Sequence, residues 1–363
     1  MLLLEGGLIV LYQTGIFKSY PKPSYDINNV RSQFWVDIDP AFGVWHDPHS
    51  QYRHKAECFD VIYKANSYGA RDMERARKVS GKRVIVLGDS FVEGFGMPLG
   101  KRMSDLLEKA SGLEHLNFGT AGNFGPTQYY LLYKTLAKKF KHDAVLVGIL
   151  PANDFYDDDY DYGKVNHRDQ YRPYWTGAYP NYKLVYFQSQ LKRPRVKTWK
   201  GFLREFTYTY PAWRFLKKSI IISRLARVRS PVHEAQPAGN SKDESFYDKF
   251  TDEQFNRMRY SLENIAAEAR DSLKRDVLVI TIPTLKDLKI ATADPRLPKE
   301  LSALCRHLGI QYFDLLPYFR SHQRDWDSYY NSCDDHWNEH GHAVAAQGIF
   351  NAWLIYSGGA PGR

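Results

Sequence analysis

Ser90 closes the string Val84-Ile85-Val86-Leu87-Gly88-Asp89-Ser90-Phe91, in which an aliphatic run stops in Gly-Asp-Ser and the glycines Gly94 and Gly96 follow. A short apolar run reads as a buried strand, and a small polar cluster after it puts a hydroxyl where open α/β sheets hold their ligands. A serine hydroxyl becomes a useful nucleophile only beside a base. The chain offers one in Cys333-Asp334-Asp335-His336-Trp337-Asn338-Glu339-His340-Gly341-His342, where an imidazole closely follows two carboxylates. A neutral imidazole can take the serine proton while a carboxylate fixes its tautomer and stabilises the imidazolium. With acid and base on one short loop, the fold has a single long-range contact to build, Ser90 to His336.

A tetrahedral intermediate also needs donors for its oxyanion. Two stretches between these sites offer them. In Asn117-Phe118-Gly119-Thr120-Ala121-Gly122 a backbone N–H can come close because glycine has no Cβ, and in Pro151-Ala152-Asn153-Asp154 the Asn153 amide can present an N–H.

Together these four segments resemble the SGNH hydrolases, also called GDSL-type esterases, serine esterases and acyl-transferring enzymes with a flavodoxin-like fold. The resemblance covers about Lys82 to Ile355. It implies Ser90 as nucleophile, with its own N–H as one oxyanion donor. The Asn-x-Gly-x-x-Gly frame of the second block puts the family's oxyanion glycine at Gly122 rather than Gly119. Many members read Gly-x-Asn-Asp in the third block; here Pro151 stands where that glycine would be, and Asn153 carries over as a donor. The last block departs more, since many members read Asp-x-x-His and the residue three before His336 is Cys333. The form Asp-x-His-Trp is similar to a branch that includes bacterial polysaccharide O-acetylation proteins, which favours Asp334 as the acid. Asp335 is the weaker choice, because adjacent side chains of an extended loop point to opposite sides.

Each residue also has a plainer reading. Gly-Asp-Ser is a common turn, Asn153 can cap a helix, and Gly122 can be an ordinary loop glycine. Taken with the Asp-His loop, the four favour a serine-type site. His336-Trp337-Asn338-Glu339-His340 also satisfies H-x-x-E-H, a zinc-peptidase pattern. A metal pair needs both histidines on one helical face, yet this stretch starts as loop, with a helix beginning near Asn338, and a catalytic zinc takes three protein ligands. His340 and His342 then read as polar residues of the last helix's first turn. No cofactor or metal is expected.

The elements that must position these residues alternate as in α/β proteins. Strands are expected at Arg83–Leu87, His115–Phe118, Ala144–Leu150, Asp276–Ile282 and Ile310–Leu315. The clearest helix opens at the capping box Thr251-Asp252-Glu253-Gln254 and keeps Phe255, Met258, Leu262, Ile265, Ala269 and Leu273 on one face. The expected architecture is a three-layer α/β/α flavodoxin-like SGNH fold with a parallel five-stranded sheet, carrying an N-terminal extension and a large insertion. In residue terms this is an apolar segment over 1–20, an extension over 21–80, and an SGNH domain over 81–357 interrupted at about 155–250. The extension contains Asn66-Ser67-Tyr68-Gly69-Ala70-Arg71-Asp72. In the resembling branch a similar segment precedes the nucleophile strand, implying that Asn66 and Arg71 border the substrate cleft; the plainer reading is a structural turn.

The insertion starts in the acidic run Tyr156-Asp157-Asp158-Asp159-Tyr160-Asp161-Tyr162, which lacks the glycine hinge and closing glutamate of a calcium loop and reads as a solvated turn. It continues through Lys192, Arg193, Arg195, Lys197 and Lys200 to Arg214, Lys217, Lys218, Arg224, Arg227 and Arg229, interleaved with Ile220, Ile221, Ile222 and Leu225. Such a stretch suits anionic lipid or acidic glycan, and supplies most of the net charge of +9. No zinc, helix-turn-helix or RNA-binding signature accompanies it, which weighs against nucleic acid. A lid or substrate platform is expected here.

Residues 1–11 are apolar but short of the ~20 that span a bilayer, and Glu5 interrupts them. They lack a basic region and a cleavage site. They resemble a shortened membrane anchor or an amphipathic segment packed on the body. The cysteines Cys58, Cys305 and Cys333 suggest no disulfide framework and no metal spacing.

The expected activity is a serine esterase cleaving an acyl ester, foremost an O-acetyl group on a cell-envelope glycan. An O-acetyltransferase sharing the acyl-enzyme and a catalytically silent glycan-binding module are the alternatives. A membrane-associated place on the periplasmic side of the envelope is favoured over the cytoplasm.

Overall fold

Aliphatic runs without a polar break become strands covered on both faces, as a parallel sheet requires. The structure, a computed structural model, describes residues 2–14, 16, 36–167, 170–187, 199–210, 212–213, 216, 244–270, 275–322 and 325–353. After a helix α1 (Leu2–Gln13) come two antiparallel hairpins, β1 (Val36–Asp39) with β2 (Gly43–His46) and β3 (Gln51–Lys55) with β4 (Asp60–Lys64). The main sheet then begins at β5 (Arg83–Leu87), followed by α2 (Ser90–Glu93), α3 (Met103–Ser111), β6 (Glu114–Asn117), α4 (Pro126–Thr135) and β7 (Ala144–Ile149).

The inserted part contains α5 (Asp154–Asp157), α6 (Tyr160–Asn166), a hairpin of β8 (Arg172–Thr176) with β9 (Lys183–Phe187), and α7 (Trp199–Phe206). The alternation resumes with α8 (Asp252–Ala269), β10 (Asp276–Thr281), α9 (Leu285–Ile290), α10 (Arg296–Leu308), β11 (Gln311–Asp314), α11 (Leu315–His322) and α12 (Glu339–Ala352).

The five strands lie in the order β11-β10-β7-β5-β6, all parallel. This is the flavodoxin-like order, whose direction of winding reverses between β5 and β7; the crevice beyond that reversal is where such sheets hold ligands. Strand alternation divides the core. Ile85, Leu87, Val145, Val147 and Val279 face α4, α8 and α10, while Val84, Val86, Leu146, Leu278 and Ile280 face α3, α11 and α12. The capping box at Thr251 forms as expected, with Thr251 Oγ1 accepting from Gln254 N and the Gln254 side chain accepting from Thr251 N. The expected fifth strand is shorter than read: Leu315 turns inward as the first residue of α11.

Two expectations need correction. The acidic run is not a solvated turn. Asp157 and Asp158 are buried, and Asp158 accepts from the N–H of Thr127 with both oxygens, at 3.1 and 3.0 Å. Thr127 lies in the first turn of α4, whose N–H groups have no partner within the helix, so Asp158 caps α4 from outside it. The cysteines are not all single either: Cys58 and Cys333 are joined in a disulfide, leaving Cys305 as a buried thiol. Of the basic stretch, Lys192, Arg193, Arg195, Lys197, Arg214 and everything from Lys217 to Arg229 lie outside the described residues. Among the described residues no helix is long and apolar enough to cross a membrane.

Candidate active site

The strand–loop–helix around Ser90 is held by its neighbours' side chains. Asp89 caps α2 by accepting from Phe91 N at 3.0 Å, so Ser90 is fixed at the helix start, just past the end of β5. On the adjoining strand, Asn117 donates through Nδ2 to Val92 O at 2.7 Å and accepts from Gly119 N at 2.9 Å. Gly119 lies against bare backbone. A Cβ there would meet Glu93 N at 2.3 Å, so only glycine lets this loop approach α2. The buried Glu93 carboxylate in turn accepts from Ala121 N and steers the chain into Gly122, which adopts φ +111 and faces the cleft.

His336 arrives from the loop before α12, itself strongly tethered. Asn338 caps that helix through His340 N and Gly341 N, and its Nδ2 donates to Ser328 O and Tyr330 O, both at 2.9 Å. Trp337 is fully buried and bridges to Tyr330. The imidazole lies between Phe95, stacked at 4.3 Å, and Phe91, tilted at 4.8 Å. Its Nε2 is 2.8 Å from Ser90 Oγ, and its Nδ1 bonds the Asp334 carboxylate, which also accepts from His336 N at 2.9 Å. Half-burial works against ionising Asp334, but the hydrogen bonds and charge of His336 outweigh it and hold the carboxyl below its usual range. Asp335 is exposed on the cleft rim.

Asn153 stands at the end of the neighbouring strand and lines the same cleft. It precedes α5 but makes no side-chain cap; instead its Nδ2 lies 3.4 Å from the Asp89 carboxylate. Burial pushes the Asp89 carboxyl up to about 6, against the pull of the His336 charge, the Phe91 N–H and the Asn153 amide.

The structure thus brings Ser90, His336, Gly122 and Asn153 to one cleft of about 820 Å³, with Asp334 behind the His336 ring rather than on the cleft wall. Asn66 and Arg71, expected on its border, do not line it. Both are buried. Asn66 Oδ1 accepts from Tyr68 N and Ala70 N, and the Arg71 guanidinium donates to the carbonyls of Glu93, Gly94 and Met97, which close the turn after α2. Arg71 thereby supports the turn after α2, while Asn66 holds the shape of its own loop. His336 spends both ring nitrogens on Asp334 and Ser90, and His340 sits on α12 with its ring against Tyr329 at 5.0 Å. The two do not face each other as a zinc pair would.

Sequence reasoning passed over several residues that shape the site. Phe95 lies between the two glycines noted after Ser90, a signal that was there to use. Phe246, Lys286 and Lys289 line the far wall of the cleft with no sequence motif to mark them. The β3–β4 hairpin reaches the loop of Asp334 and His336 through the Cys58–Cys333 bridge and the turn after α2 through Tyr63, whose hydroxyl accepts from Gly96 N at 2.5 Å.

No protein family and no curated protein matches the chain. Solved structures do show distant likeness. A member of the lipolytic G-D-S-L family from Veillonella parvula is 11% identical, over 75% of this chain and 98% of that one, with a TM-score of 0.37. The lipase/acylhydrolase from Enterococcus faecalis is 14% identical over 77% and 99%, with a TM-score of 0.39. A carbohydrate esterase family 2 enzyme with a carbohydrate-binding domain, from Corynascus thermopiles (Myceliophthora fergusii), is 12% identical over 82% and 71%, with a TM-score of 0.40. Likeness this remote leaves the chemistry to be argued from the chain's own side chains.

Proposed function

We propose that the protein is a serine esterase of SGNH type that cleaves an acyl ester, foremost an O-acetyl group on a cell-envelope carbohydrate. The observation that carries this reading is the unbroken line from Ser90 Oγ through the His336 ring to Asp334. In the reaction His336 Nε2 takes the hydroxyl proton as Ser90 attacks the ester carbonyl, and Asp334 holds Nδ1–H and offsets the imidazolium charge. The N–H groups of Ser90 and Gly122 and the Asn153 amide receive the developing oxyanion. His336 then returns the proton to the departing alcohol. Water, activated by the same imidazole, releases the acid from Ser90.

The same acyl-enzyme would serve an O-acetyltransferase if a sugar hydroxyl replaced water, and added glycan acceptor separates the two by the product formed. A glycan-binding module without turnover is the reading left if no ester is cleaved. For location, the Cys58–Cys333 bridge supports an oxidising compartment such as the periplasm. The exposed Leu3, Leu4 and Val10 of α1 suit contact with a membrane surface.

The test is release of 4-nitrophenol from 4-nitrophenyl acetate. Ser90→Ala and His336→Ala should each lower kcat by about 10⁴-fold or more, and a chelator should leave the rate unaltered. Turnover that survives Ser90→Ala and is abolished by the chelator would overturn the serine mechanism.

A further inference from the structure

Three walls of the cleft belong to the machinery just described: Ser90 and His336, the Ala121–Asn123 loop, and Asn153. The fourth does not. It is made by α9 and the segment leading into α8, and presents Phe246, Leu285, Lys286, Lys289 and Ile290 to the same space as the nucleophile.

This wall is built to stay in place. The fully buried Asp287 carboxylate accepts from Ser245 Oγ at 2.6 Å and Phe246 N at 2.9 Å with one oxygen, and from Thr284 N at 3.0 Å and Thr284 Oγ1 at 2.6 Å with the other. One carboxylate therefore caps α9 and fastens Phe246 beside it. At the opposite end Arg320 donates to the carbonyls of Asp287, Leu288 and Ala291. A helix of under two turns has little stability of its own, so these ties keep its two lysines on the cleft.

The lysines differ in what holds them. Lys289 pairs with Asp327 at 2.9 Å, but both side chains are about half exposed, and exposed pairs of this kind exchange partners at little cost. Lys286 has no carboxylate partner among the described residues; its ammonium lies 4.8 Å from the centre of the Phe246 ring. A cation resting on an aromatic face keeps its N–H groups available to an anion. Asp335 is the carboxylate that shares the cleft, and it sits on the triad loop beside His336. Charge within the cleft is thus divided, positive at α9 and negative at the triad loop, and an anionic group on a bound ester is drawn to α9.

We propose that Lys286, assisted by Lys289, is a substrate-binding residue that selects esters bearing a carboxylate, as on an O-acetylated uronic acid. The inference rests on the esterase reading for its kinetic test, and a binding measurement makes it separable from that reading. A carboxylate on the sugar and one on the acyl group would both answer the lysines. The experiment therefore compares mono-O-acetylated methyl galacturonoside with the matching methyl galactoside, and 4-nitrophenyl hemisuccinate with 4-nitrophenyl acetate.

The expected result is a kcat/KM for the uronoside about ten-fold above that for the galactoside, as one partly exposed charge-assisted contact gives. The ratio should fall toward one in Lys286→Gln and below one in Lys286→Glu, and should shrink as salt rises from 20 to 500 mM. Preference for the hemisuccinate alone would move the carboxylate to the acyl side with the same lysine dependence. Equal rates on both members of each pair, or preferences that Lys286→Glu leaves standing, overturn the proposal. Calorimetry of polygalacturonate against a neutral galactan, with Ser90→Ala protein, needs no turnover. Binding of the acidic polymer lost in Ser90→Ala/Lys286→Glu supports the proposal even if no ester is cleaved. No difference between the polymers overturns it whatever the esterase assay gives.

Discussion

Replacing Cys58 and Cys333 together by serine tests how far the covalent tie between the β3–β4 hairpin and the triad loop shapes the protein. The bridged residues are separated by 275 positions, and chain-entropy reasoning for a ring of that size gives about 5–6 kcal/mol of stabilisation. Disulfides commonly deliver about 2–5 kcal/mol, so a loss of about 3–5 kcal/mol is expected. With a urea slope of ~3 kcal/mol/M the midpoint should drop by about 1–1.7 M. The effect on turnover should be smaller. Cys333 adjoins Asp334, yet the loop keeps the bond from Asn331 N to His336 O at 2.9 Å, the Tyr330–Trp337 bridge and the buried Trp337 ring. A displacement of an ångström can cost about a hundred-fold; these remaining ties should limit the fall in kcat/KM to about 3–10-fold. Urea unfolding followed by tryptophan fluorescence, 4-nitrophenyl acetate turnover, and a thiol count in denaturant make up the assay. The untreated protein should show one reactive thiol, Cys305, and the reduced protein three. A midpoint and rate equal to wild type, or three thiols without reductant, would refute the reasoning.

The two aspartates before His336 should separate cleanly: Asp334→Asn should lower kcat by about 10³–10⁴-fold, and Asp335→Asn by no more than a few-fold. Equal losses would deny Asp334 its role. Asn153→Ala should lower kcat by about 10²–10³-fold with little change in KM, as for one oxyanion donor; a change confined to KM would count against that placement. Asp158 bears on stability. Burial raises its carboxyl to about 7 despite the N–H bonds from Thr127. The folded protein therefore holds a proton that the unfolded chain releases near pH 4, and this group's contribution falls as pH rises from about 4 to 7, by up to about 4 kcal/mol. Asp158→Asn should show a smaller difference between urea midpoints at pH 5 and pH 7.5 than wild type, and an unchanged difference would mean that Asp158 does not carry it.

The sheet was legible because burial on both faces leaves a plain mark. Val84–Leu87 and Ala144–Ile149 contain nothing that water would want, and their positions follow from composition alone. Ser90 and His336 stood out because a small polar cluster after such a strand, and an imidazole beside carboxylates, are rare patterns with local causes. What stayed hidden depends on distant partners. Asp158 looks like any acidic turn residue until α4 places Thr127 against it, and Arg71 looks like a cleft residue until the turn after α2 closes over its guanidinium. Cys58 and Cys333 carry no spacing that could pair them across 275 positions. Lys286 and Lys289 lie three apart, so one helix face holds both. Which way that face points is decided by the partners of Asp287, which no local pattern reveals.

The hydrogen bond between Ser90 and His336 spans 246 positions, and the bridge beside it spans more. In folding, closures of such separation cost loop entropy before their contacts offset it, which slows the step that makes them. The nucleophile's helix, turn and oxyanion loop can assemble while the base is still absent, so partly folded or partly synthesised chains carry a serine with nothing to activate it. On the esterase reading, turnover requires α12 to dock on α3 and bring the loop before it into register. The same docking sets Cys333 beside Cys58 in the geometry of the native bridge. During oxidative refolding, the appearance of this particular bridge, identified by peptide mapping, therefore reports the arrival of the His336 loop beside Ser90.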